Sequence, residues 1–163
     1  MIKTDIGEYI VGAYLKVIEK CDVVDYNVRT PGGGIQGLSE LDVVGLKFET
    51  NAAILCEVTT HIRGVLYKDN KTTTQKIKEK HQRQKEYSKE YLKDFKNVKY
   101  MFWSPVVPVG YITEELSKIE TLETIINKEY TERIEILRKE AKGSTNDVGN
   151  PFFRVLQILE HLR

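Results

Sequence analysis

The sequence predicts an α/β protein with a central mixed β-sheet flanked by helices. Three observations carry this. An apolar residue recurs at helical spacing through 6–20, three β-rich runs then follow separated by turn residues, and the remainder alternates helical and extended patterns. The 163 residues suit one domain, with enough chain to bury a sizeable core.

Ile6, Ile10, Tyr14, Val17 and Ile18 mark the first helix, with Asp5 placed to cap it. Val23, Val24, Tyr26 and Val28 mark a strand over 23–29, and Pro31-Gly32-Gly33-Gly34 is a loop. Residues 39–48 and 53–60 read as the two arms of a hairpin around Glu49-Thr50-Asn51. After a loop through His61 and Arg63, residues 72–95 form a long, polar, Lys-rich helix. Residues 98–103 form a strand stopped by Ser104-Pro105, 113–119 a helix, 122–126 a strand, and 129–142 a helix ended by Gly143. Pro151 opens a last helix, whose expected buried stripe is Phe152, Val155, Leu156, Leu159 and Leu162.

Composition narrows the class. Hydrophobic residues make up 40% and charged residues 30%, which suits neither disorder nor a membrane protein. No apolar stretch approaches the ~20 residues that cross a bilayer. The start, Met1-Ile2-Lys3-Thr4-Asp5, lacks the apolar core of a secretion signal. Cys21 and Cys56 lie among apolar residues with no metal-type spacing, so two reduced core thiols and a cytoplasmic location are expected. The net charge is only +1, yet residues 68–99 hold eleven Lys or Arg against five Asp or Glu. That surplus predicts one positive face suited to a polyanion.

The chemistry concentrates in Glu40-Leu41-Asp42-Val43-Val44-Gly45 and Cys56-Glu57-Val58-Thr59. Asp42 is embedded in an apolar strand, and Glu57 closes the apolar run 52–56. A carboxylate on a buried strand face costs several kcal/mol unless it is paired or binds a metal. Two such acids on adjacent hairpin strands make a hard oxygen site that suits Mg²⁺, to which the Val58 carbonyl could add a ligand. The competing reading has both acids at strand ends, solvated or paired with Arg63 or a lysine.

An acid, a hairpin, then acid-x-Lys resembles the PD-(D/E)XK nuclease superfamily, which includes the restriction endonuclease-like enzymes. The resemblance covers residues 7 to about 103. It implies a restriction endonuclease-like core and Mg²⁺-dependent hydrolysis of DNA phosphodiesters, with Mn²⁺ as the alternative ion and RNA as the alternative polymer. It also implies a homodimer, since relatives often cut two strands that way. The family's two acids carry over to Asp42 and Glu57, and the acid of its first helix carries over to Glu8. Position 59, where the family has its lysine, is Thr59, which can hydrogen-bond a water but brings no charge. In some relatives a basic residue from the next helix serves instead, and here Gln75, Lys76 and Lys80 are the candidates. Lys76 and Lys80 share a helix face. His61 is a further group able to orient water. Lys71, Gln75, Lys78, Arg83 and Arg63 are the expected nucleic-acid contacts, with Tyr87 and Tyr91 either stacking on bases or packing on the sheet.

Other chemistry finds no pattern. The glycine run lacks a following Lys-Ser/Thr, the histidines and cysteines are scattered, and no serine stands in a nucleophile elbow. Besides a nuclease, the sequence allows a catalytically silent nucleic-acid-binding module of the same fold, or a protein-interaction subunit.

Overall fold

The computed structural model describes residues 3–31, 40–63 and 67–162. The chain runs α1 (Ile6–Val17), β1 (Val23–Val28), β2 (Leu41–Lys47), β3 (Ala52–Val58), α2 (Asn70–Tyr91), β4 (Asn97–Ser104), α3 (Tyr111–Ser117), β5 (Leu122–Ile126), α4 (Asn127–Gly143) and α5 (Pro151–His161). One five-stranded sheet takes the order β1-β2-β3-β4-β5. β1, β2 and β3 are an antiparallel meander, and β4 and β5 add in parallel. A mixed sheet covered by helices is therefore present, with element bounds within a few residues of expectation. The glycine loop at 32–34, the start of the expected strand at Ser39 and the loop residues 64–66 lie outside the described residues.

Two layers of helix cover the sheet. One face packs Val43, Ile54, Cys56, Met101, Trp103 and Ile125 against α1, α4 and α5. The other packs Leu55 and Phe102 beneath α2 and α3. Both cysteines are buried and unbridged, and burial raises both thiols, Cys21 to about 11. Among the described residues no helix is long and apolar enough to cross a membrane.

Local signals set the ends. Asp5 caps α1, accepting from the Gly7 N–H, while Glu8 returns a bond to the Asp5 N–H, which completes a capping box. The hairpin turn closes through Asn51, at φ +50°, whose N–H donates to the Phe48 carbonyl. Asn150 caps α5 by accepting from the Phe153 N–H, with Pro151 in the first turn.

α2 is fastened to the sheet by polar groups. Gln84 is fully buried, and its Nε2 donates to the Leu55 and Met101 carbonyls, one on each of the paired strands β3 and β4. Its amide nitrogen so committed, Gln84 offers Oε1 as acceptor to His81 Nδ1 at 3.1 Å. That bond fixes the tautomer, leaving Nε2 to accept from Thr121 Oγ1 at 2.8 Å. Burial lowers the His81 ring below its ordinary pKa and so favours neutral imidazole, against the opposing pull of the Gln84 bond.

Two expected stripes are corrected. In α1, Tyr14 and Val17 are buried as expected, but Ile6 is exposed, and Val11, Ala13 and Leu15 are the fully buried residues. The close approach of Gly7 and Gly12 to their neighbours sets that rotation. In α5, Phe153 and Leu156 face the core, whereas Val155, Leu159 and Leu162 do not. The cap at Asn150 and the bonds from Gln157 to the Ser144 and Asn146 carbonyls fix α5 with that side inward.

Gly12 lies under the Tyr26 ring, where an added Cβ would come 2.0 Å from the hydroxyl oxygen. That hydroxyl also accepts from Asn150 Nδ2. Gly12→Ala is expected to cost about 1–3 kcal/mol through overpacking, read as a lowered melting temperature.

Candidate functional site

The strand register assembles the site at one end of the sheet. Asn27 falls between the pairs Tyr26–Val43 and Val28–Leu41, opposite Asp42. Extending the β2–β3 register by one pair beyond Val43–Cys56 sets Asp42 opposite Glu57. Both carboxylates thus lie side by side on neighbouring strands, on the face beneath α2. Asp42 Oδ2 accepts from the Val58 N–H at 2.7 Å, which ties the two strand ends together.

Lys80, on α2, reaches into this pair. Its Nζ donates to Glu57 Oε2 at 2.6 Å and stands 3.9 Å from Asp42 Oδ2. Glu57 is 4% exposed, whereas Asp42 and Lys80 are half-buried, so the pair is shielded on the Glu57 side and meets solvent on the lysine side. Burial, and then the charge of Asp42, push the Glu57 carboxyl up to about 8 against the pull of Lys80. Burial draws Lys80 down, but Glu57 and then Asp42 outweigh it and hold the ammonium above its ordinary range. Two acids and one ammonium leave the cluster formally one charge short of balance when all are ionised. The competing expectation of a carboxylate paired with a lysine is met, and the solvated alternative is not.

Glu8 approaches from α1 and is buried. Its Oε2 accepts from the Asp5 N–H and from Asn27 Nδ2 at 3.0 Å. Burial raises its pKa against those two bonds, and the charge of Asp42 adds to the rise. Glu8 therefore borders the acid pair while serving as a helix cap. Among the described residues no group of three or more His, Cys, Asp or Glu side chains stands close enough to hold a metal ion.

Thr59 lines a cavity of about 220 Å³ with Asp5, Glu8, Val58, Thr60, His61, Tyr67 and Lys80, which borders the acid pair through Lys80. Its hydroxyl donates to Ser104 Oγ at 2.9 Å and its N–H to the Trp103 carbonyl, which holds it against β4. Lys76, one turn before Lys80, is not in the acid pair, and its ammonium stands 4.7 Å from the centre of the Tyr67 ring.

The expected nucleic-acid contacts are spread around α2. Lys71 is exposed at its start, beside Thr72 and Tyr111. Gln75 donates to Glu79, and Lys78 is paired with Glu115 at 2.8 Å. Arg83 lies farther along, in a groove with Glu40, Glu86 and Glu90, so its surroundings are acidic. Arg63 is exposed in the loop after β3. Tyr87 packs on the sheet beside Val44 and Leu55, and Tyr91 stacks on Tyr87 with ring centres 4.9 Å apart.

Asn27 and Tyr67 are site residues that sequence reasoning missed. An asparagine within a strand carried the signal for the first: its φ of +52° is one asparagine tolerates better than most residues. Tyr67 stands in an irregular loop with no periodicity to mark it. The chain matches no protein-family model, no curated protein and no solved structure.

Proposed function

We propose that this chain is a Mg²⁺-dependent nuclease hydrolysing DNA phosphodiesters on a restriction endonuclease-like core, with Lys80 in the role of the missing motif lysine. The observation that carries this is the bond from Lys80 to buried Glu57, with half-buried Asp42 beside it. The order of α1, the antiparallel meander, α2 and a parallel β4 supports the same core, with its acids on β2 and β3.

The residues present fit a small divalent cation. The charge of Asp42 raises Glu57 beyond the effect of burial, and a divalent cation would take the place of the proton that Glu57 otherwise holds. Mg²⁺ is commonly held by one or two carboxylates with the rest of its shell in water. Asp42, Glu57 and the Val58 carbonyl would hold it, with Mn²⁺ as a substitute. Bound there, the ion would polarise the scissile phosphate and acidify an attacking water.

The chain's own groups do the rest. Lys80 offers a half-buried positive charge to the oxygens that would gain charge during displacement. The Asp42–Val58 bond holds the acid-bearing strands in register. Lys76 and Lys71, on the first turns of α2, would take flanking phosphates, giving salt-dependent affinity. A second reading, a silent DNA-binding module, is favoured by the same lysine, since an internal cation already stands between the acids.

Calorimetry with Mg²⁺ and Mn²⁺, run beside cleavage of plasmid, single-stranded DNA and RNA, tests the proposal. Metal binding and DNA cleavage are expected in the wild type and absent in Glu57→Gln. Metal binding without cleavage of any of the three selects the silent module. No binding, even with DNA present, removes the assignment of the site.

A further inference from the structure

Three cavities follow one another along the first half of α2. The one of about 220 Å³ beside the acid pair is walled by Tyr67 and Lys80. The next, of about 450 Å³, holds Lys71 and Lys76, and the Lys76 ammonium over the Tyr67 ring links the two. The third, of about 830 Å³, shares Lys71 and Thr72 with the second and adds Lys68 and Tyr111. Building on the nuclease reading of the acid pair, we propose that its substrate is a single DNA strand, laid along this trough with bases stacked on Tyr67 and Tyr111 and phosphates on Lys71 and Lys76.

Charge points to a polyanion. Among the described residues Lys68, Lys71 and Lys76 stand in no ion pair, whereas Lys78 and Lys80 are held by Glu115 and Glu57. The acids of the two outer cavities are already engaged, Asp69 accepting from the Thr72 N–H and Glu79 from Gln75. Thr72, Lys76 and Lys80 recur every four residues, rising about 6 Å each time, so the row runs down one helix face to the acid pair. The rings point to unpaired bases. Tyr111 is 48% exposed. Tyr67 is anchored by packing on the cluster of Ile77, Ile112 and Leu116, and the lysine over its ring marks the face left open. An exposed contact of that kind is weak and readily exchanged. A nucleotide offers both groups better partners, its base for the ring and its phosphate for the ammonium. Bases inside a duplex are stacked on one another and closed to such rings, whereas a lysine row interleaved with aromatic rings suits a single strand.

The test is fluorescence anisotropy in EDTA, so that binding is read apart from cleavage. The probes are an oligo(dT) strand, its duplex with oligo(dA), and an abasic strand of the same length and charge. The wild type is expected to bind oligo(dT) roughly tenfold more tightly than either of the others. Tyr67→Leu and Tyr111→Ala are each expected to lose roughly tenfold on oligo(dT) and nothing on the abasic strand. Tyr67→Phe should keep the wild-type affinity, and Tyr111→Ala, at an exposed position, keeps the readout should Tyr67→Leu fail to fold. Duplex or abasic DNA bound as tightly as oligo(dT), or ring variants without effect, overturns the proposal even where duplex DNA is cut. A preference for oligo(dT) that needs both rings upholds the single-strand site, and an absence of cleavage with Mg²⁺ would then count against the nuclease reading alone.

Discussion

Lys80→Met is expected to abolish DNA cleavage and to lower stability by about 3–5 kcal/mol above pH 8, where Glu57 is ionised, the range for removing one partner of a buried ion pair. The substitution leaves volume in place and takes away the only ammonium within 4.0 Å of Glu57 or Asp42 among the described residues. The loss has a pH signature. Glu57 is raised from 4.5 to about 8, so the stability contributed by its bound proton is fully present below pH 4.5. That contribution is lost as the pH rises through about 8 in the wild type. Over that window the folded state holds a proton the unfolded chain has released, and stability falls by about 1.4 kcal/mol per pH unit at most. Without Lys80 the carboxyl is pushed higher still and the decline continues beyond the wild-type limit. The deficit of the variant should therefore be smallest in mild acid and widest above pH 8, as read by urea denaturation across pH. An equal deficit at every pH would mean that Lys80 acts by packing alone. Adding Thr59→Lys to this variant returns an ammonium to the cavity wall, and part of the cleavage should return with it.

Asp42→Asn separates chemistry from fold. Cleavage is expected to fall by roughly 10³-fold, the upper range for losing one electrostatic stabiliser, while stability holds or rises. An asparagine oxygen can still accept from the Val58 N–H, so the tie between strand ends survives. Removing the Asp42 charge also relieves the repulsion that helps raise Glu57, and lets that carboxyl pair with Lys80 at lower pH. Thermal melting and a cleavage assay on the same preparation check both halves. A variant as active as the wild type would remove Asp42 from the site, and one that melts many degrees lower would make it a structural acid.

The fold was legible because each strand and helix carried its own local pattern. The hairpin turn, the Asp5 cap and Pro151 marked their ends in short stretches of sequence. Asp42 and Glu57 were legible for a related reason, since a carboxylate inside an apolar strand conflicts with burial unless something compensates it. The choice of Lys80 over Lys76 was not legible. Both lie on one helix face, and only the docking angle of α2, fixed by buried Gln84, decides which reaches the acids. The inner side of α5 was hidden because two apolar stripes share that helix. Periodicity reports that an apolar face exists, and cannot rank one against the other.

The β2–β3 hairpin has a consequence for the order in which the chain folds. Asp42 and Glu57 come together across a tight turn, a contact that closes early and at small entropic cost. Lys80 lies 23 residues beyond Glu57 and arrives only when α2 docks across the sheet. Nascent hairpins thus concentrate two negative charges before their ammonium is in place. A proton on Glu57 can stand in during that interval. Refolding is therefore expected to be faster in mild acid than in alkali, as stopped-flow refolding across pH would check.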